Sequence, residues 1–200
     1  MIKNPIQEVT SKLQCRAIGI IYGVYKPNEP NLINKGQLTD TDGIVLDCVV
    51  LGKTLPIMKK FINFEKNYFW IVYPRNKDPE TLHIQIAGVW EPFEDKVNAN
   101  SIIQEANKKL FPLNLKNNFF SIRGQLIYIN KIQKELVIKV SISKVSKKSK
   151  NKPFKITIKG EISMDYVNSF VSINSFREGN CLHMDSYEII ETDFSNKKLV

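Results

Sequence analysis

The segment "CRAIGIIYGVY", residues 15–25, is apolar enough to be a buried strand, yet it carries Gly19 and Gly23 within it. Glycine inside a long strand marks a place where the chain must bend sharply. The residues that follow decide what sheet such a strand can enter. "KPNEPNLIN" is loop material, "KGQLT" is a strand, and "DTDG" followed by "IVLDCVVLG" completes a hairpin with Asp42-Gly43 as its turn dipeptide. In "KTLPIMKKFIN", Leu55, Met58, Phe61 and Ile62 recur at helical spacing, with Pro56 near the start where a helix tolerates it. "NYFWIVYPR" and "LHIQIAGVW" are two further strands, separated by turn residues 76–80. Three strands, a short helix and two strands is the order of the five-stranded OB barrel, and residues 12–92 are expected to form one.

Residues 118–191 repeat the plan. "FFSIRGQLIYIN" is a strand with a glycine bend, and "ELVIKVSIS" is expected to turn Leu136, Val137, Ile138, Val140 and Ile142 inward. "PFKITIKGE" alternates Phe154, Ile156 and Ile158 against Lys155, Thr157 and Lys159, and "SFVSINSF" and "CLHMDSYEII" flank the turn "REGN". Only "EISMDYVN" lies between the third and fourth strands, so any helix there is short or absent. An internal echo supports the duplication. "VVLGK" answers "ITIKGE", and each half carries an arginine (Arg75, Arg177), a turn and then Leu-His (Leu82-His83, Leu182-His183). Between the halves, residues 93–117 hold Ile102, Ile103, Ala106 and Leu110 at helical spacing, which predicts a helical linker. The expected fold is thus all-β dominated, two consecutive OB-like barrels with a short helix in the first; a single large sandwich with strands exchanged between the halves is the alternative.

Charge is distributed unevenly over this plan. The formal net charge is +9, and residues 131–160 alone hold ten lysines against one acid, Glu135. The remaining 170 residues balance, 19 basic against 19 acidic. The densest part, "SKVSKKSKNKP", joins the second and third strands of the second barrel and is anchored at both ends. Such a run can be a solvated loop with no partner, because like charges repel. Its confinement to a fold whose strand-two and strand-three face and loops commonly bind oligonucleotides favours a polyanion, since every neutralised phosphate releases counterions.

Several chemistries lack their signatures. There is no CxxC, HExxH, GxSxG, P-loop or GxGxxG, and His83 and His183 each stand inside a strand without a second ligand at metal spacing. The expectation is a non-enzymatic protein with no metal, no cofactor and no small-molecule substrate. Cys15, Cys48 and Cys181 are odd in number and widely spaced in apolar surroundings, which fits reduced core thiols and a reducing compartment. No segment approaches the roughly 20 apolar residues of a membrane span, and the N-terminus has no signal h-region, so a cytoplasmic protein is expected.

"RAIGIIYGVY", "KGQLTDTDG", "VVLGK", "FWIVYPR", "LHIQIAGVWEP" and "SIRGQL" together resemble a conserved family of cyanobacteria and related plastid lineages with a tandem OB-like plan. The resemblance spans roughly residues 15–190, with "YPR" and "GVWEP" its most specific parts. It implies lineage and compartment, the cytoplasm or a plastid stroma, and no particular activity. The first strand departs from the arginine-rich form expected in that family at Ile21-Tyr22-Gly23-Val24-Tyr25, which argues against phosphate binding there.

The leading functional expectation is binding of RNA or single-stranded DNA. Lys144, Lys147, Lys148, Lys150, Lys152, Lys155 and Lys159 would contact phosphates, with Arg75 at the mouth of the turn before the fifth strand and Trp70 as a stacking surface. Two competing expectations accompany them. Arg75 can instead pair with Asp78 or Glu80, and for each of Tyr22, Tyr25, Tyr68, Trp70, Tyr73 and Trp90 a core position is the better expectation, because alternation turns only half of a strand outward. The rival function is an assembly module of a larger particle, whose barrels bind a protein around Trp70 or Trp90 while the basic loop docks an acidic surface or ribosomal RNA.

Overall fold

The structure is a computed structural model that describes residues 4–78, 81–90, 117–141, 152–192 and 194. The first half contains β1 (Arg16–Glu29), β2 (Leu32–Asp40), β3 (Val45–Val50), α1 (Leu55–Phe61), β4 (Tyr68–Asp78) and β5 (Thr81–Trp90). The second contains β6 (Phe119–Asn130), β7 (Glu135–Val140), β8 (Phe154–Lys159), a 3-10 turn at Met164–Tyr166, β9 (Phe170–Glu178) and β10 (Cys181–Glu191). The strands of the first half pair in the order β2-β3-β5-β4-β1, with β1 returning to β2; those of the second pair as β6-β7-β8-β10-β9, with β6 returning to β9. Each half is a closed five-stranded OB barrel, and the sandwich alternative falls. In the second barrel the closing β8–β10 contact is parallel, at Lys159 and His183.

The glycine in the opening segment explains how closure is reached. β1 runs against β4 over residues 19–23 and against β2 from residue 23 onward, so Gly23 faces both Tyr68 and Asp40. A Cβ at Gly23 would stand 2.2 Å from the Thr39 carbonyl oxygen, which excludes every other residue there. Gly124 performs the same service in β6, where a Cβ would stand 2.4 Å from the Lys139 carbonyl oxygen.

Inward positions of both barrels are filled by fully buried side chains, among them Tyr25, Leu38, Met58 and Trp70 in the first and Phe120, Leu126, Ile138 and Phe170 in the second. The helix α1 starts with Pro56 in its first turn and ends with Lys59 and Lys60, where the dipole favours cations. Of its predicted apolar stripe only Met58 is fully buried; Phe61 is exposed, with the Lys60 ammonium 5.1 Å from its ring centroid. The second barrel replaces the helix by its 3-10 turn, in keeping with the short "EISMDYVN".

By compactness the chain divides into one body of Met1–Gln7, Gly19–Val72 and Gln85–Phe119, and another of Glu8–Ile18, Tyr73–Ile84 and Phe120–Val200. The second body therefore includes the start of β1 and the β4–β5 turn region as well as the second barrel. The predicted linker helix and most of the lysine run, Lys144 to Lys150, lie outside the described residues. No helix among the described residues is long and apolar enough to cross a membrane.

Candidate nucleic-acid interface

The outer face of β6, β7 and β8 is an exposed sheet surface whose composition suits a single-stranded polyanion, and its layout follows from strand register. Leu136, Ile138 and Val140 of β7 and Ile156 and Ile158 of β8 point into the barrel and are buried. Their neighbours point outward and line up across the three strands in rows. The first row is Gln125, Lys139, Lys155; the second is Tyr128, Val137, Thr157; the third is Asn130, Glu135, Lys159. Facing side chains in a row have Cβ atoms about 5 Å apart. Successive rows, two residues along each strand, are about 7 Å apart.

Tyr128 reaches this face through an irregularity. Leu126 opposes Ile138, but Tyr128 opposes Val137, so Ile127 is an extra residue that shifts the register of β6. Strict alternation from Leu126 would have turned Tyr128 into the core; the bulge turns it out instead, and its side chain is 55% exposed. The ring stands in the middle row with Val137 and Thr157 as its cross-strand neighbours.

The two outer rows differ in charge. Glu135 and Lys159 form an ion pair at 2.6 Å, and beside it Lys134 and Glu161 pair at 2.7 Å. The exposed carboxylate of Glu161 holds the Lys134 ammonium above its ordinary proton affinity. That end is charge-balanced. At the other end Lys139 and Lys155 stand directly opposite each other, both exposed, and among the described residues no acidic side chain pairs with either. Like charges in facing positions destabilise a sheet. An anion bound between them removes that cost. Lys152, exposed two residues before β8, extends the cationic end toward the lysine run.

Other candidates named from sequence stand elsewhere. Trp70 is fully buried; its indole N–H donates to the Gly23 carbonyl at 2.9 Å and its ring packs edge-on to Tyr25 and Tyr68. It is a core residue and offers no surface to a base or to a protein partner. β4 is unusual in burying both faces at this point, because Phe69 is covered on the opposite side by Tyr22 and Trp90. Arg75 stacks on Phe154 with its Cζ 3.7 Å from the ring centroid and donates to the Pro74 carbonyl at 2.8 Å. Burial lowers its proton affinity, with Tyr73 opposing. Next to it the Asn76 Oδ1 accepts the Thr157 N–H at 3.1 Å, so residues 75–76 dock along β8 within the second body. Lys159 belongs to the face, but its charge is taken by Glu135.

Sequence reasoning missed Tyr128 and Lys139. Lys139 was legible as an outward position in "ELVIKV"; Tyr128 was not, since a single-residue bulge leaves no mark in an apolar run. Arg123 is a different kind of omission. It is buried on the outer side of β6, where it donates to the backbone carbonyls of Lys12 at 2.7 Å and Gln14 at 3.3 Å, and it fixes the segment before β1. Among the described residues no group of His, Cys, Asp and Glu is arranged to hold a metal ion.

Residues 17–97 match the family model described as PatR RNA-binding protein, N-terminal OB-fold domain, and residues 122–191 match the cyanobacterial OB-fold-like RNA-binding domain, C-terminal. The chain belongs to this cyanobacterial family of tandem OB-fold proteins. The family's two domain models fall one on each barrel, and the second ends at the last residue of β10. Among solved structures the chain is similar to a deletion mutant of the single-stranded DNA binding protein from Thermus aquaticus, at 10% identity and a TM-score of 0.47, covering 92% of this chain and 99% of that one. It is also similar to a murine DNA binding protein bound with double-stranded DNA, at 9% identity and a TM-score of 0.22, covering 90% and 100%. Likeness at these levels carries no argument about function. Among curated proteins there is no significant match.

Proposed function

We propose that this protein is a non-catalytic binder of single-stranded nucleic acid, RNA by the description of its family, and that the outer face of β6–β8 receives the strand. The observation that carries the reading is Tyr128, an exposed ring held one row away from two facing lysines that no acidic side chain among the described residues meets. A base stacked on Tyr128 puts its phosphate within reach of Lys139 and Lys155. Stacking is sequence-tolerant because every base has a π-face, and phosphate contacts are blind to sequence, so the face suits affinity with little base preference. In this reading Lys144, Lys147, Lys148, Lys150 and Lys152 add contacts to the backbone beyond the face.

The experiment is fluorescence anisotropy of a labelled single-stranded RNA 20-mer across a salt series. Replacing Lys147, Lys148, Lys150 and Lys152 with alanine is expected to lower the slope of log affinity against log salt by roughly 3, at about 0.7 per contact for single strands. An unchanged slope removes the loop from the interface. Loss of salt dependence in the intact protein removes the nucleic-acid reading altogether.

A further inference from the structure

The duplicated architecture allows the two barrels to be compared row by row, because both bend at a glycine and the first three strands of each line up in rows, the extra residue Ile127 of β6 having no counterpart at that place in β1. In the first barrel the row adjoining the glycine is Val24, Thr39, Val45, and the next is Lys26, Gln37, Asp47. These occupy the places of Gln125, Lys139, Lys155 and of Tyr128, Val137, Thr157. Where the second barrel has two facing lysines, the first has Thr39 and Val45. Where the second has the exposed ring, the first has Lys26, in a row that also carries an exposed carboxylate, Asp47, whose Oδ1 accepts from Gln37 at 3.5 Å. The aromatic side chains of its β1 and β4 strands at this level are directed inward or against each other, with Tyr25 and Trp70 fully buried and Phe69 wedged between Tyr22 and Trp90; its exposed ring, Phe61, belongs to α1 and not to this face.

We infer that the strand is bound by the second barrel alone, so that the protein covers a single-barrel footprint although it has two OB barrels. The inference rests on the function proposed above and adds to it the extent of the ligand. A phosphate meeting the first barrel's face would find a Thr–Val pair where the second barrel has two facing lysines and, one row on, Lys26 in company with the Asp47 carboxylate, a row without excess positive charge. Along the second barrel's own face the cationic track also stops, at the Glu135–Lys159 pair. One OB face accommodates about 4–16 nucleotides.

The test compares two double variants by anisotropy with the same labelled single-stranded RNA 20-mer, after thermal melts have established that both fold. Lys139→Ala with Lys155→Ala removes the pair on the second barrel; Lys26→Ala with Lys35→Ala removes the exposed lysines of the equivalent strands in the first. The first change is expected to reduce the salt slope by about 1.4 and the second to leave it within error. Equal losses in both variants would overturn the single-barrel footprint while leaving nucleic-acid binding intact. No loss in either would overturn the β6–β8 face as the site, and the inference with it.

Discussion

At the scale of single residues, the functional reading turns on which aromatic is exposed, and two substitutions separate the platform from the core. Tyr128→Ala is expected to weaken single-strand binding by about 1–3 kcal/mol, roughly fivefold to 150-fold, with a much smaller change in stability because the ring is more than half exposed. Trp70→Ala is expected to do the reverse, costing about 3–5 kcal/mol in a urea titration while the folded fraction binds as before. Comparable losses of affinity from both would mean that the core and the face are not separable. Cys48 supplies a pH signature. Burial, reinforced by Asp47, pushes its thiol from 9.0 up to about 12, and its S–H donates to the Gly36 carbonyl at 3.3 Å. In the unfolded chain the thiol ionises above about pH 9, whereas in the folded protein it stays protonated until about pH 12. The unfolded state therefore binds fewer protons in that window, and stability, complete below pH 9, declines as pH rises toward 12. Urea midpoints between pH 8 and 11 should fall in the wild type and fall less steeply in Cys48→Ala; parallel curves would assign the decline to other groups.

At the scale of elements, β7 and β8 trade stability for charge. Their facing lysines, Lys139 and Lys155, oppose each other in the register, so Lys155→Glu should raise stability by about 0.2–1 kcal/mol at low salt while reducing affinity for single strands. A variant that gained affinity would contradict the assigned role of the pair. The strands themselves were largely legible in the sequence. In "ELVIKV" and "FKITIK" the inward places of Leu136, Ile138, Val140, Ile156 and Ile158 were legible, whereas Val137, expected inward with them, faces outward between Tyr128 and Thr157; the glycine in each first strand announced the bend. What could not be read were departures from periodicity with a tertiary cause. The bulge at Ile127 follows from the pairing of β6 with β7, and the burial of both faces of β4 at Phe69 and Trp70 follows from Tyr22 and Trp90 arriving from other strands. Phe61 fitted the helical stripe of α1 by spacing, yet only Met58 reaches the barrel.

At the scale of the molecule, the sequence conveyed the duplication but not the difference between the copies. Net charge located the basicity in the second half. Register was needed to show that the first barrel carries Thr39 and Val45 where the second carries Lys139 and Lys155. Arg75 illustrates the same limit. Its place before a turn suggested ligand contact, whereas its guanidinium is stacked on Phe154, a residue 79 positions away that no local pattern connects to it. The central claim is that a single strand lies across the outer face of β6, β7 and β8 with a base on Tyr128. Photo-crosslinking a 4-thiouridine-containing RNA 20-mer to the intact protein, followed by mass-spectrometric mapping of the modified peptide, tests it most directly. The account predicts a crosslink within residues 125–130, lost in Tyr128→Ala; crosslinks confined to peptides of the first barrel, or undiminished in that variant, would contradict it.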